Sequence, residues 1–342
     1  MPVARWIRRL CIAGVVLCFA VVVLGAYVRL TAAGLGCPDW PGCYGQLTPL
    51  GAEHSASAQA AYANRPLEPG KAWREMIHRY AVGTLSVLIL LITVLALSAR
   101  RPPRPVSLPL ALALPAILVL QALLGMLTVT WQLNPLIVTL HLLFGMTTLG
   151  LLWWLTLSLP RGSWGASALQ GGDRGGASAR ADAWWLAALG LAALAVQIAL
   201  GGWTSSNYAA VACPDFPTCQ NAWWPHADFR DAFVLWHGRN LDYEGGVLAN
   251  PERVAIHLTH RVGALVTTLT LILAASFVLR RRGFAGARAN AWAVLAALAL
   301  QLLIGISMVL KTFPLWLATA HTAGAALLLL ATLALLHALS AR

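Results

Sequence analysis

The amino-acid sequence predicts an all-α, polytopic membrane protein: eight transmembrane helices forming two parallel, pseudo-symmetric four-helix bundles. Three observations carry this. Of 342 residues, 59% are hydrophobic and only 11% are charged, with a mean hydropathy of +0.70. Soluble domains average about 25% charged residues, so disorder, collagen, a small disulfide scaffold and almost any water-soluble enzyme are excluded. Eight apolar runs are long enough to cross a hydrocarbon core of about 30 Å as helix. The last four runs also repeat motifs of the first four.

The runs cover 10–30, 75–98, 108–131, 136–159, 183–204, 254–279, 290–310 and 316–338. They are continuous in Leu, Ala and Val without alternation, which favours helices over a barrel. Arg5, Arg8 and Arg9 precede the first run as they would in a signal peptide. That run exceeds the ~7–15 residues of a signal h-region and has a counterpart at 183–204, so it reads as a retained helix. The nine residues before it are too few for an organellar transit peptide. This points to a bacterial plasma (inner) membrane.

Charge gives the orientation. The N-terminus, the 99–107 and 280–289 loops, the 160–182 segment and the C-terminus carry 14 Arg against Asp173 and Asp182, which is the whole net charge of +12. The opposite side, with the long 31–74 and 205–253 loops, is balanced at 10 basic and 10 acidic residues. The positive-inside rule therefore puts both termini in the cytoplasm and the long loops outside. It also removes nucleic acid as the reason for the basic charge. Trp40, Trp73, Trp131, Trp203, Trp223, Trp224 and Trp316 fall near the outer boundary, as an interfacial belt would.

The repeat is explicit in four places. Cys37-Pro38-Asp39-Trp40-Pro41-Gly42-Cys43 returns as Cys213-Pro214-Asp215-Phe216-Pro217-Thr218-Cys219, and His78-Arg79 returns as His260-Arg261. Gln121 and Gly125 return as Gln301 and Gly305, and Thr139-Leu140-His141 as Thr319-Ala320-His321. Four spans per half make the halves parallel, unlike inverted-repeat transporters. This gives an N-terminal half at 1–160, a Gly/Ser/Ala-rich cytoplasmic linker at 161–182 and a C-terminal half at 183–342.

The paired cysteines lie in loops assigned to the oxidising side, where local Cys37–Cys43 and Cys213–Cys219 disulfides are the favoured pairing. Metal binding or free thiols is the alternative. Cys11 and Cys18, seven apart on the first helix, read as small buried apolar residues.

Four histidines are placed by the repeat. His78 and His260 open their spans, and His141 and His321 stand five residues, about 7.5 Å, into theirs. Intramembrane ionisable groups default to function, and two matched His pairs on two helices each fit bis-imidazole haem ligation. Zinc fits less well, because neither half adds an intramembrane Cys pair or shared carboxylate. Arg79 and Arg261 are candidates for haem propionates, with interfacial snorkelling as the plain alternative. One asymmetry stands out: Glu75 precedes His78 by three residues and shares its helix face, whereas the second half has His257 there. A carboxylate beside only one cofactor suggests that one half does chemistry and the other gives redox support. A bare Glu75–Arg79 ion pair is the competing reading. His257 reads as a hydrogen-bond partner, and His54, His226, His237 and His337 as structural or solvated.

With GLGCPDWPGC, CPDFPTC, EMIHR, TLH, HLTHR and TAH in two four-helix halves, nearly the whole chain resembles bacterial haem A synthase. The resemblance implies oxidation of the C8 methyl group of haem O to a formyl group, giving haem A for cytochrome oxidase. It implies that His78 and His141 hold the substrate haem, that His260 and His321 hold a haem B cofactor through its iron, and that Glu75 is catalytic. It also implies a Cys37–Cys43 loop disulfide that helps haem transfer or electron supply. Haem O, the lipid bilayer, haem O synthase and cytochrome oxidase assembly factors are the implied partners. A di-haem b-type membrane electron carrier, or a haem transporter or chaperone, would share the four histidines.

Overall fold

The computed structural model describes residues 2–98, 106–159, 177–238 and 241–340. Those residues form ten α-helices: α1 (Pro2–Leu30), α2 (Pro49–Glu53), α3 (Ala56–Ala60), α4 (Pro69–Ser98), α5 (Leu108–Thr130), α6 (Pro135–Ser158), α7 (Ala177–Ser206), α8 (Asn250–Arg280), α9 (Arg288–Leu310) and α10 (Leu315–Ser340). All but α2 and α3 are long and apolar enough to cross a membrane. The all-helical, eight-span expectation therefore holds.

The helices outrun the apolar windows. α4 begins six residues before the expected 75, α8 four before 254 and α7 six before 183. The added turns of α4 and α8 carry Lys71, Arg74, Glu252 and Arg253, which hydropathy does not count as membrane. His78 and His260 accordingly lie nine and ten residues into their helices rather than at the start. Most of the expected linker lies outside the described residues, and its last six residues already belong to α7.

The helix ends repeat between the halves. α1, α5, α7 and α9 each finish in a left-handed residue, Ala32, Gln132, Tyr208 and Thr312. The next N–H, of Ala33, Leu133, Ala209 and Phe313, closes back on the carbonyl oxygen of Val28, Thr128, Thr204 and Met308. This 6→1 bond satisfies a carbonyl that the helix end leaves open. Between α5 and α6, the Asn134 side chain then accepts from the N–H groups of Leu136 and Ile137. Such a cap contributes about 1 kcal/mol, and Pro135 at the first helical position loses no bond that the helix needed.

In the first half α1 touches α4, α4 touches α5, α5 touches α6 and α6 returns to α1. In the second, α7, α8, α9 and α10 close in the same order. The halves meet through α1, α6, α7 and α10. Along this seam Trp153 donates to the Leu330 carbonyl oxygen at 2.9 Å, and Arg29 donates to the last carbonyls of α7, Ser205 and Ser206, at 3.1 and 3.3 Å. Arg65 joins the two long loops through Asp242 and Glu244. The core is Leu, Ile, Val and Ala, with Cys11 and Cys18 buried as thiols. Large apolar side chains such as Val16, Val87, Val119 and Leu269 are exposed around the helices, as lipid contact requires. Trp203 departs from the expected belt: it is buried and donates to the Ala232 carbonyl oxygen at 3.0 Å.

Candidate functional site

Each of the four histidines is half-buried, and each sets the Cε1 edge of its ring against a glycine on a neighbouring helix. His78 of α4 meets Gly25 of α1, and His141 of α6 meets Gly125 of α5. In the second half His260 of α8 meets Gly201 of α7, and His321 of α10 meets Gly305 of α9. A Cβ at these glycines would stand 3.0, 3.4, 3.3 and 2.9 Å from the rings. The glycines therefore let bulky imidazoles approach a helix backbone closely by that edge. In the second half the ring centroids of His260 and His321 are 6.5 Å apart. Two metal–imidazole bonds of about 2 Å plus the two ring radii span roughly that distance, so the pair fits a single haem iron between α8 and α10. In the first half Nδ1 of both His78 and His141 is buried without a hydrogen-bond partner. Unpaired polar atoms in an apolar bundle are costly and suit ligands.

Three glutamines, to which the repeat alone assigns no role, lie against three of these histidines. Gln301 on α9 puts Nε2 3.3 Å from both ring nitrogens of His321. Gln197 on α7 puts Nε2 3.1 Å from Nδ1 of His260 and donates to the carbonyl oxygen of His260 at 3.0 Å. Gln121 on α5 donates to the carbonyl oxygen of His141 at 2.9 Å. Gln121 and Gln301 lay within a quoted repeat. Gln197 has no repeat partner and gave no signal.

Glu75 is buried beneath the first disulfide loop. Its Oε2 accepts the Cys37 N–H at 2.8 Å, and its Oε1 accepts from Arg79. Arg79 also donates to the carbonyl oxygens of Asp39, Pro41 and Gly42. Arg261 repeats this in the second half, donating to those of Cys213, Asp215, Pro217 and Thr218. Each guanidinium thus lies inside the turn of its own disulfide loop and fastens it through these donors, while Nε of Arg261 is buried without a partner. Both disulfides are formed, Cys37–Cys43 and Cys213–Cys219, with Cα separations of 4.7 and 4.6 Å. Asp39 and Asp215 close the two loops by accepting backbone N–H groups from Tyr44 and Gly45, and from Gln220 and Asn221. The Thr218 hydroxyl, with those last two N–H groups, holds the Asp215 carboxyl below the usual range.

The loop seats on α4 through Gly36, where a Cβ would meet the Lys71 carbonyl carbon and oxygen at 2.6 and 2.8 Å. Both are backbone atoms that cannot rotate away. Gly36→Ala is therefore expected to lift the loop from α4 at a cost of about 1–3 kcal/mol. A thermal melt of the detergent-solubilised protein should drop by several degrees, and an unchanged melt would refute this packing.

His257 occupies the Glu75 position of the second half and packs its ring edge-on to Phe313; among the described residues Glu75 is the one buried carboxylate, and it lies in the first half. His54 pairs with the Leu50 carbonyl oxygen, and His337 contacts Trp154. A cavity of about 450 Å³ opens between the long loops, lined by Gly36, Tyr44, Arg65, Lys71, Asp242 and Glu244 among others. Its walls are polar and its charges paired, which does not suit a mostly apolar macrocycle.

Residues 8–333 match the family described as cytochrome oxidase assembly protein, COX15-CtaA. A haem A synthase of Shewanella oneidensis is 41% identical over 332 residues, covering 95% of this chain and 93% of that protein. The haem A synthases of Nitrosospira multiformis and Caulobacter vibrioides are each 28% identical, covering 99% and 96% of this chain and 93% of each relative.

Proposed function

The chain belongs to the COX15-CtaA family of cytochrome oxidase assembly proteins, and from that premise we propose that it is an oxidoreductase converting haem O to haem A. The observation that carries this reading is the pair of glycine-faced histidine couples, one per half, with a buried carboxylate beside only the first.

His78 and His141 hold the substrate haem O, and His260 and His321 hold the iron of a haem B cofactor. Bound there, haem B supplies one-electron transfer. The division follows 1–160 and 183–342. Converting a ring methyl to a formyl group adds one oxygen atom in a four-electron oxidation; the half-reaction, written with water, passes four electrons to an external acceptor and releases four protons. Glu75 is the buried carboxylate nearest that reaction, one helical turn before His78. Both its partners are donors, so Oε1 and Oε2 act as acceptors, able to take a proton or face developing positive charge. Arg79 and the Cys37–Cys43 loop hold the carboxylate in place, and Arg261 fastens the matching loop over the cofactor half.

The protein spans the bacterial inner membrane with both termini cytoplasmic. The positive-inside asymmetry and two disulfides at the opposite end support this orientation. Haem O synthase and cytochrome oxidase assembly factors are the partners this role calls for.

The test is expression in cells that supply haem O but have no haem A of their own, followed by pigment extraction. Appearance of haem A, identified by mass, is expected. Unchanged haem O with a reversible di-haem spectrum would instead mark an electron carrier.

A further inference from the structure

We propose that Gln197 and Gln301 are positioning residues that retain the haem of the second half, and that the first half lacks their ring contacts so that its haem can exchange. This rests on the reading that each histidine pair binds one haem.

An imidazole bound to iron through one nitrogen carries a proton on the other, and a partner that accepts it fixes the ring and raises its basicity. The side-chain amides of Gln197 and Gln301 reach the rings of His260 and His321 at 3.1–3.4 Å. Their Oε1 atoms are buried and without a partner, so each amide holds a spare acceptor one rotation away. In the first half no amide reaches either ring: Gln121 donates to the His141 carbonyl oxygen only, its own Oε1 also unpartnered, and Nδ1 of His78 and of His141 has no partner.

The difference is written at two positions together. Gln197 lies one turn before Gly201 on α7, and the residue one turn before the matching Gly25 on α1 is Val21. Gly263, one turn past His260, leaves the room that Gln197 fills, since a Cβ there would stand 2.3 Å from Gln197 Oε1. The matching residue past His78 is Ala81. At the Gln197 position the first half thus lacks both the amide and the space for it. A half that must release its product benefits from ligands without an orienting partner, and a half that keeps its cofactor does not.

The test is haem loss from the purified, full-length holoprotein to an excess of apomyoglobin, with each pigment quantified by extraction and mass. Loss of a second-sphere partner typically weakens a metal site about 10–100-fold. Wild type should release haem O and haem A at least about tenfold faster than haem B. Gln197→Val with Gly263→Ala should speed haem B loss about tenfold and shift its midpoint potential, an effect that loosened packing alone would not give. Val21→Gln with Ala81→Gly should slow the loss of haem O and haem A by a similar factor. If a double variant fails to fold, Gln301→Leu carries the same expectation for haem B. Equal rates in wild type, or reciprocal variants that change neither rate nor potential, would overturn the inference while leaving both haem sites standing. Wild type holding fewer than two pigments would overturn the reading of the sites and this inference with it.

Discussion

His260→Ala or His321→Ala is expected to strip haem B from the purified protein, whereas His78→Ala or His141→Ala should keep the haem B spectrum and stop haem A formation. The asymmetry follows from the packing. His260 and His321 lie 6.5 Å apart by ring centroids, each with a glutamine amide at its ring. Removing either ring leaves the iron one strong protein ligand and the adjoining amide no ring to orient. His78 and His141 belong to a different four-helix ring, α1–α4–α5–α6, so their loss leaves the second pair intact. Absorbance spectra of the four variants, with haem content per chain, check this. A wild-type haem content in all four would mean that these histidines are not the ligands.

Glu75→Gln should lower haem A output by about 10²–10⁴-fold, the range for a lost acid or base, with haem B unchanged. Glutamine keeps an oxygen for the Cys37 N–H, but its NH₂ would face the Arg79 guanidinium, donor against donor. Glu75→Ala should be worse for stability as well. It would leave Arg79, whose side chain is only 13% exposed, without its carboxylate, and breaking such a buried pair costs about 3–5 kcal/mol. Glu75→Gln, which keeps the Cys37 contact, is the milder change, and its retained haem B reports that the protein has folded. Haem A produced at the wild-type rate by a folded Glu75→Gln protein would remove Glu75 from the reaction.

Much of this was legible in the sequence because the chain is written twice. The repeat picked four histidines out of nine and four cysteines out of six, and the structure sets those histidines against matched glycines and closes those cysteines into matched loops. What the repeat hid was whatever differs between the halves. Gln197 faces Val21 across the alignment, and Gly263 faces Ala81, so a search for recurring residues passes over both. Helix starts were misjudged where polar turns continue a helix past its apolar stretch, as at Lys71 and Arg253. The arginines show a second role that adjacency in the sequence does not reveal. Adjacency to His78 and His260 suggests a propionate contact alone, whereas the chain also folds back so that carbonyls some 37–48 residues earlier reach each guanidinium.

The proposed function requires one chain to carry two haem sites of unequal kind. The most direct measurement is the number and identity of haems per chain in protein purified from cells making haem O, by extraction, chromatography and mass. Haem B near one per chain is expected, together with haem O and haem A that share the first-half site of His78 and His141. Haem B alone at two per chain, with no haem O or haem A, would contradict it.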